Sequence, residues 1–168
     1  MSQLAIDTNI FQHLLNPQMN TNLHIDKVLG YLARSKCMLL VDSTKKIANE
    51  YEALVIPIIR NADDTRVQIY LLRYWMNSEI RHEEPLDRQD QLMQQIKRVI
   101  YENEHADRAF VYVSCKRDCY LITNDNVHIL NRRRELLEGT RRHRGTNTDF
   151  IDSHQAHQEF VANEAAAD

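Results

Sequence analysis

Two aspartates in this chain stand directly behind short apolar runs. Asp7 follows Leu4-Ala5-Ile6, and Asp125 follows Tyr120-Leu121-Ile122-Thr123 with only Asn124 between. Each run has the length and character of a buried strand, so each aspartate falls at a strand's carboxyl end. In an open parallel sheet the ligand crevice lies outside those ends, and right-handed crossovers keep them on one edge. Asp7 and Asp125, far apart in sequence, are therefore expected to converge. Two carboxylates in a partly dry crevice repel, so one takes up a proton or both share a cation. Oxygen ligands with no His or Cys beside them point to a hard ion, Mg²⁺ or Mn²⁺, rather than zinc.

The elements around these acids alternate. After Leu4-Ala5-Ile6, residues Ile10 to Leu15 form a short amphipathic helix that stops near Asn16-Pro17. Ile25, Val28, Leu29 and Leu32 have helical spacing within Thr21 to Ser35. Cys37 to Val41 is a second apolar strand, and Asp42-Ser43 behind it suit the cap of a helix from Thr44 to Ile59. That helix has Ile47, Tyr51, Leu54, Val55 and Ile58 as its stripe. Asn61 to Glu84 is the least legible stretch; within it Val67 to Met76 fits either helix or strand, although Asp63-Asp64-Thr65 before it resembles a helix start. A helix over Asp87 to Glu102 presents Leu92, Ile96, Val99 and Ile100, and another carries Ala106, Ala109, Phe110 and Val113. Cys119 to Thr123 is the third strand. Such βα alternation predicts an α/β fold with a parallel sheet.

Bulk properties agree with one domain. The chain has 168 residues, 43% of them hydrophobic and 27% charged, with only three Gly and three Pro. These values favour helices joined by short connections, with residues 1–160 as the domain and 161–168, including Ala165 to Ala167, as a fraying tail. No leader peptide or membrane span is expected. Cys37, Cys115 and Cys119 are odd in number and lack zinc-finger spacing, which suggests reduced, buried thiols and a cytoplasmic protein. A net charge of −3 argues against a protein that coats nucleic acid through global charge.

Three segments resemble the PIN-domain ribonucleases. LAIDTNIF is similar to the family's first strand and acidic motif; LLVDSTKKIANEY resembles its second strand, Ser and Glu-bearing helix. HADRAFVYVSCKRDCYLITNDNVHI resembles a helix opening on Asp107 and a strand ending in Thr-Asn-Asp. The resemblance implies a Rossmann-like three-layer α/β/α fold with a short parallel sheet. It also implies hydrolysis of RNA with one or two Mg²⁺ or Mn²⁺ ions, in which water attacks the scissile phosphorus while the cations neutralise developing charge. By the same carry-over Asp7, Asp107 and Asp125 bind metal directly or through water, and Glu50 completes the catalytic set or holds a water. Thr8, Asn9 and Asn124 would orient those carboxylates. Periodicity does not choose between Glu50 and Glu52; the distance from Ser43 in the family pattern selects Glu50. Asp149 and Asp152 are candidates for a further acid, with a helix cap the favoured role for Asp149.

Beyond the acids lies one basic sector. Seven of the thirteen residues from Arg132 to Arg144 are Arg or His. Arg132, Arg133, Arg134, Arg141 and Arg142 could hold phosphates of an RNA substrate, or form a solvated helical face. Tyr70, Tyr74 and Trp75 could serve an oligomer face or a partner, with core as the default. His154 and His157 receive no function. A toxin would add a small antitoxin protein as partner; RNA processing and defence are the other settings for such a nuclease. The alternatives are a DNA structure-specific nuclease and a non-catalytic PIN-like module that binds RNA or protein. An aspartyl-phosphate phosphatase needs a second Asp where this chain has Asn9.

Overall fold

The computed structural model describes residues 3–14, 16, 18, 24–57, 81–101 and 105–162. Five parallel strands form the sheet: β1 (Gln3–Ile6), β2 (Met38–Asp42), β3 (Arg81–Glu84), β4 (Tyr120–Ile122) and β5 (Asp149–Ile151), in the order β3-β2-β1-β4-β5. Helices flank it in a three-layer, Rossmann-like α/β/α arrangement. They are α1 (Thr8–Leu14), α2 (Ile25–Arg34), α3 (Lys46–Glu50), α4 (Gln91–Val99), α5 (His105–Arg117), α6 (Arg133–Thr140) and α7 (Ser153–Ala156). The strand order reverses between β1 and β4, which makes their carboxyl ends the topological switch point. Ile6 pairs with Ile122 in register, and the Asp7 backbone N donates to Ile122 O at 2.9 Å. The α/β class and the convergence of the first and last expected strands are therefore features of the fold.

The core follows the apolar pattern of the sequence. Ala5, Ile6, Leu39, Leu40, Leu121, Ile122 and Phe150 are fully buried strand residues. Ile25, Val28, Leu29 and Leu32 bury the inner stripe of α2 as their spacing requires. α5 packs across β2, β1 and β4, and buries Ala109 to Cys115 on several sides. Tyr51 stacks edge-on against Phe11, with centroids 5.4 Å apart, and donates its hydroxyl to Ile6 O. Cys37, Cys115 and Cys119 are buried thiols, and burial pushes each up to about 12.

Several expectations need correction. Two strands carry no signal in an apolar scan: β3 reads Arg-His-Glu-Glu, and β5 has three residues. β3 is an edge strand, where charged side chains meet solvent and block edge pairing. The helix from Thr44 is an α segment only to Glu50, and then widens into a π turn over Tyr51–Val55. The wider turn aligns Ile47, Tyr51 and Val55 inward and leaves Leu54 42% exposed, outside the stripe expected for it. α4 starts later than Asp87 because Asp90 caps it, accepting from Leu92 N at 2.9 Å, and it ends at Val99 because Ile100 is extended. Asp42 does act as a cap: its buried carboxylate accepts from Thr44 N, Lys46 N and Ile47 N. Tyr70, Tyr74, Trp75, Ile58 and the tail at Ala165 to Ala167 lie outside the described residues.

Candidate metal centre

Asp7 leaves β1 and is 3% exposed, yet each carboxylate oxygen has donors. Oδ2 accepts from Thr123 Oγ1 at 2.6 Å and Asn9 Nδ2 at 2.7 Å. Oδ1 accepts from Asn9 N at 3.3 Å and faces Thr8 Oγ1 at 3.1 Å. Burial pushes the Asp7 carboxyl above its ordinary value, the donors from Thr123, Asn9 and Thr8 oppose that, and the charge of Asp125 adds to it. Thr8 Oγ1 also contacts Glu50 Oε1, so one hydroxyl links two acids on different elements. Glu50 is half-buried at the last residue of α3, whereas Glu52, inside the π turn, is exposed.

Thr123 ties Asp7 to the next strand. Its Oγ1 donates to Asp7 and accepts the backbone N–H of Asp125 at 2.9 Å. Asn9 adds a second tie, with its Oδ1 accepting Asn124 N at 2.9 Å. The Asn124 side chain is engaged away from Asp7. Its Oδ1 accepts from Ser153 N and Oγ, both at 3.0 Å, and its Nδ2 meets His13 Nδ1 at 3.0 Å. Asn124 therefore fixes the end of β4 against α7 and α1 and acts on the acids through the backbone.

Asp125 and Asp107 meet through a histidine. Asp125 Oδ1 accepts from Val127 N at 2.8 Å and His128 N at 3.0 Å, which closes the turn behind β4. That turn carries His128 Nδ1 to 3.2 Å from Asp125 Oδ2 and 3.1 Å from Asp107 Oδ2, in the first turn of α5. Both aspartate side chains are 14% exposed. One ligand atom from each of Asp107, Asp125 and His128 lies within 4.8 Å of the others; among the described residues this is the group able to hold a metal ion. Asp7 and Glu50 fall outside that group and are linked to each other through Thr8.

His128 brings a nitrogen donor beside the oxygen ligands expected from the sequence. The signal was present, since a His three residues after a strand-end Asp can fold back over it, but such a residue also reads as an ordinary surface histidine. Asp149 is not a helix cap. It opens β5, at the opposite edge from the crevice, where Arg133 Nε donates to its Oδ1 at 2.7 Å. Asp152 takes the cap instead, with a capping box at the start of α7.

The five arginines of the basic sector divide. Arg132 donates to Val99 O and lies over the Tyr101 ring at 5.0 Å, and Arg133 is paired with Asp149. Arg134 pairs with Glu138 across one turn while remaining 90% exposed. Arg141 and Arg142 are exposed. No helix among the described residues is long and apolar enough to cross a membrane. Comparison of the chain with protein-family models, with curated proteins and with solved structures finds no match.

Proposed function

We propose that this chain is a metal-dependent endoribonuclease of the PIN type, hydrolysing RNA phosphodiester bonds at the carboxyl edge of its sheet. The observation that carries this reading is the meeting of Asp107, Asp125 and His128 at the switch point, with Asp7 and Glu50 bound into the same edge through Thr123 and Thr8. Two carboxylates and one imidazole are a donor set for a divalent cation; Mg²⁺ and Mn²⁺ both accept the oxygens, and the nitrogen favours Mn²⁺ of the two. Such an ion, when bound, would neutralise charge developing on the scissile phosphate and on the leaving oxygen.

Within this reading the chain's own groups have distinct tasks. Asp107, Asp125 and His128 would hold the ion. Asp7, buried and saturated with donors, fixes Thr123 and through it the backbone at Asp125. Glu50, held by Thr8 and half-buried, is assigned to orient a water. Arg141 and Arg142 offer exposed positive charge to RNA phosphates. The test is a panel of RNA and DNA strands incubated with purified protein in Mn²⁺, Mg²⁺ or EDTA. Cutting of RNA in metal alone supports the reading, and cutting of duplex DNA in preference to RNA would move the chain to the structure-specific nucleases.

One observation favours a second reading, a module that binds RNA or protein without cutting. The imidazole of His128 already stands between Asp107 and Asp125 and, when protonated, supplies a counter-charge of its own. RNA retention without cleavage in either metal would support that alternative.

A further inference from the structure

We propose that a second site, independent of metal, lies beside the acidic cluster. The cavity of about 260 Å³ lined by Lys46, Arg88, Lys97, His105 and Arg108 is a pocket for a phosphomonoester, either the terminal phosphate of an RNA strand or that of a nucleotide.

Four cationic side chains and an imidazole reach this cavity from four parts of the fold. Lys46 opens α3, Arg88 follows β3, Lys97 belongs to α4, and His105 and Arg108 sit on the first turn of α5. No acid is among the described residues lining it. Like charges gathered in a recess repel one another, and an anion relieves that repulsion. Lys46 registers the crowding: its pKa falls below the ordinary value through burial first and then through Arg88, with Arg108 adding to the effect and Asp42 opposing it.

Backbone carbonyls aim two of the cations. Arg108 is buried and its Nε donates to Ile100 O at 2.9 Å, while Lys97 Nζ donates to Arg88 O at 3.2 Å. A carbonyl orients a charged head but cancels none of its charge. A larger cavity, about 470 Å³ along α6, differs in its lining. Glu138 lines it, and its Arg133 and Arg134 are already paired with carboxylates.

Size and charge select the ligand. The volume is a little below the roughly 300–1,000 Å³ of pockets that take whole drug-sized ligands. It suits a phosphate with part of its sugar, with Leu86 and Met93 as apolar wall. A phosphomonoester carries about −1.5 to −2 at neutral pH and presents three acceptor oxygens, against a single charge on an internal diester. Forked guanidinium donors match that geometry.

The location gives the pocket a use. Lys46 precedes Glu50 by four residues on α3, just over one turn or ~6 Å along the axis, and His105 and Arg108 flank Asp107 on α5. A strand end anchored there would present a nearby diester to the acids; that extension rests on the nuclease reading, and the pocket itself does not.

Titration calorimetry in EDTA tests the pocket without metal or cleavage, using inorganic phosphate, 5′-AMP and adenosine with the full chain. Phosphate and AMP are expected to bind and adenosine not to. Lys46→Met and Arg88→Met should each weaken AMP binding about tenfold, as loss of a charge-assisted hydrogen bond does. Arg98→Met removes an equal charge from the exposed side of α4 and should leave binding unchanged. Circular dichroism confirms that each variant folds. Competition by a 5′-phosphorylated but not a 5′-hydroxyl oligonucleotide assigns the pocket to strand ends; competition by neither assigns it to nucleotides. Absence of phosphate and AMP binding, or equal binding by wild type and both pocket variants, overturns the proposal. Loss of nuclease activity with AMP binding retained would instead count against the nuclease reading alone.

Discussion

Thr123 gives its hydroxyl proton to Asp7 Oδ2 at 2.6 Å across 116 residues of chain, and takes the backbone N–H of Asp125 on the same oxygen at 2.9 Å. One buried side chain thus sets the spacing between the two strand ends that carry the acids. Thr123→Val keeps the shape and removes both functions of the oxygen. The expected cost is about 1–3 kcal/mol, because a buried carboxylate and a backbone donor each lose a partner. Thr123→Ser should restore most of it. Urea unfolding of the three proteins measures both effects.

Asp7 gives a pH signature. Its folded-state pKa is raised above the ordinary value of 3.8, chiefly by burial. The native state then holds its proton more tightly than the unfolded chain, so this group favours folding fully below the unfolded value. The contribution is lost as pH rises through the folded value, at about 1.4 kcal/mol for each pH unit of that window. Asp7→Asn does not titrate. Whatever its offset, the variant should gain stability relative to wild type as pH climbs from about 4 towards neutrality. Chemical denaturation at a series of pH values checks the sign; a constant difference would contradict it.

Much of this arrangement is legible in the sequence. Apolar runs that end in Asp7 and Asn124-Asp125 locate two strands and the edge where they meet, because burial on both faces demands such runs. The stripe of α2 is equally plain. β3 is hidden because an edge strand needs no apolar face, and β5 because three residues make no period. The π turn is invisible because the spacing of Ile47, Tyr51 and Val55 also fits an α-helix. His128 was missed for a different reason. Its part depends on a turn that Asp125 itself closes through two backbone N–H groups, and that lies in the folded geometry rather than in residue type.

Asp42 separates structure from chemistry. Its carboxylate is fully buried at the end of β2 and serves the backbone N–H groups that open α3. Asp42→Ala should cost about 2 kcal/mol or more, since a lost cap leaves buried donors without acceptors. Mn²⁺ affinity of the folded fraction should be unchanged, because among the described residues this acid belongs to no metal-ligating group. Thermal unfolding and a Mn²⁺ titration together test the distinction.

The basic sector should act unequally on RNA. Arg132 and Arg133 are committed to Val99 O and Asp149, so their replacement should act through stability. Arg141→Ala and Arg142→Ala, at exposed positions, should weaken RNA binding across sequences. Each should reduce the slope of log affinity against log salt by about 0.7–1. Fluorescence anisotropy over a range of salt concentrations, with protein in EDTA, measures the slopes; unchanged slopes would remove this face from the RNA path.

The most direct measurement compares cleavage of single-stranded RNA by wild type, Asp107→Asn, Asp125→Asn and His128→Ala, each with Mn²⁺ and with EDTA. The account predicts cutting by wild type in Mn²⁺ and none in EDTA. It predicts a loss of about a hundredfold or more in each aspartate variant and at least about tenfold in His128→Ala. Wild type inert in Mn²⁺, or aspartate variants that cut as fast as wild type, would contradict it.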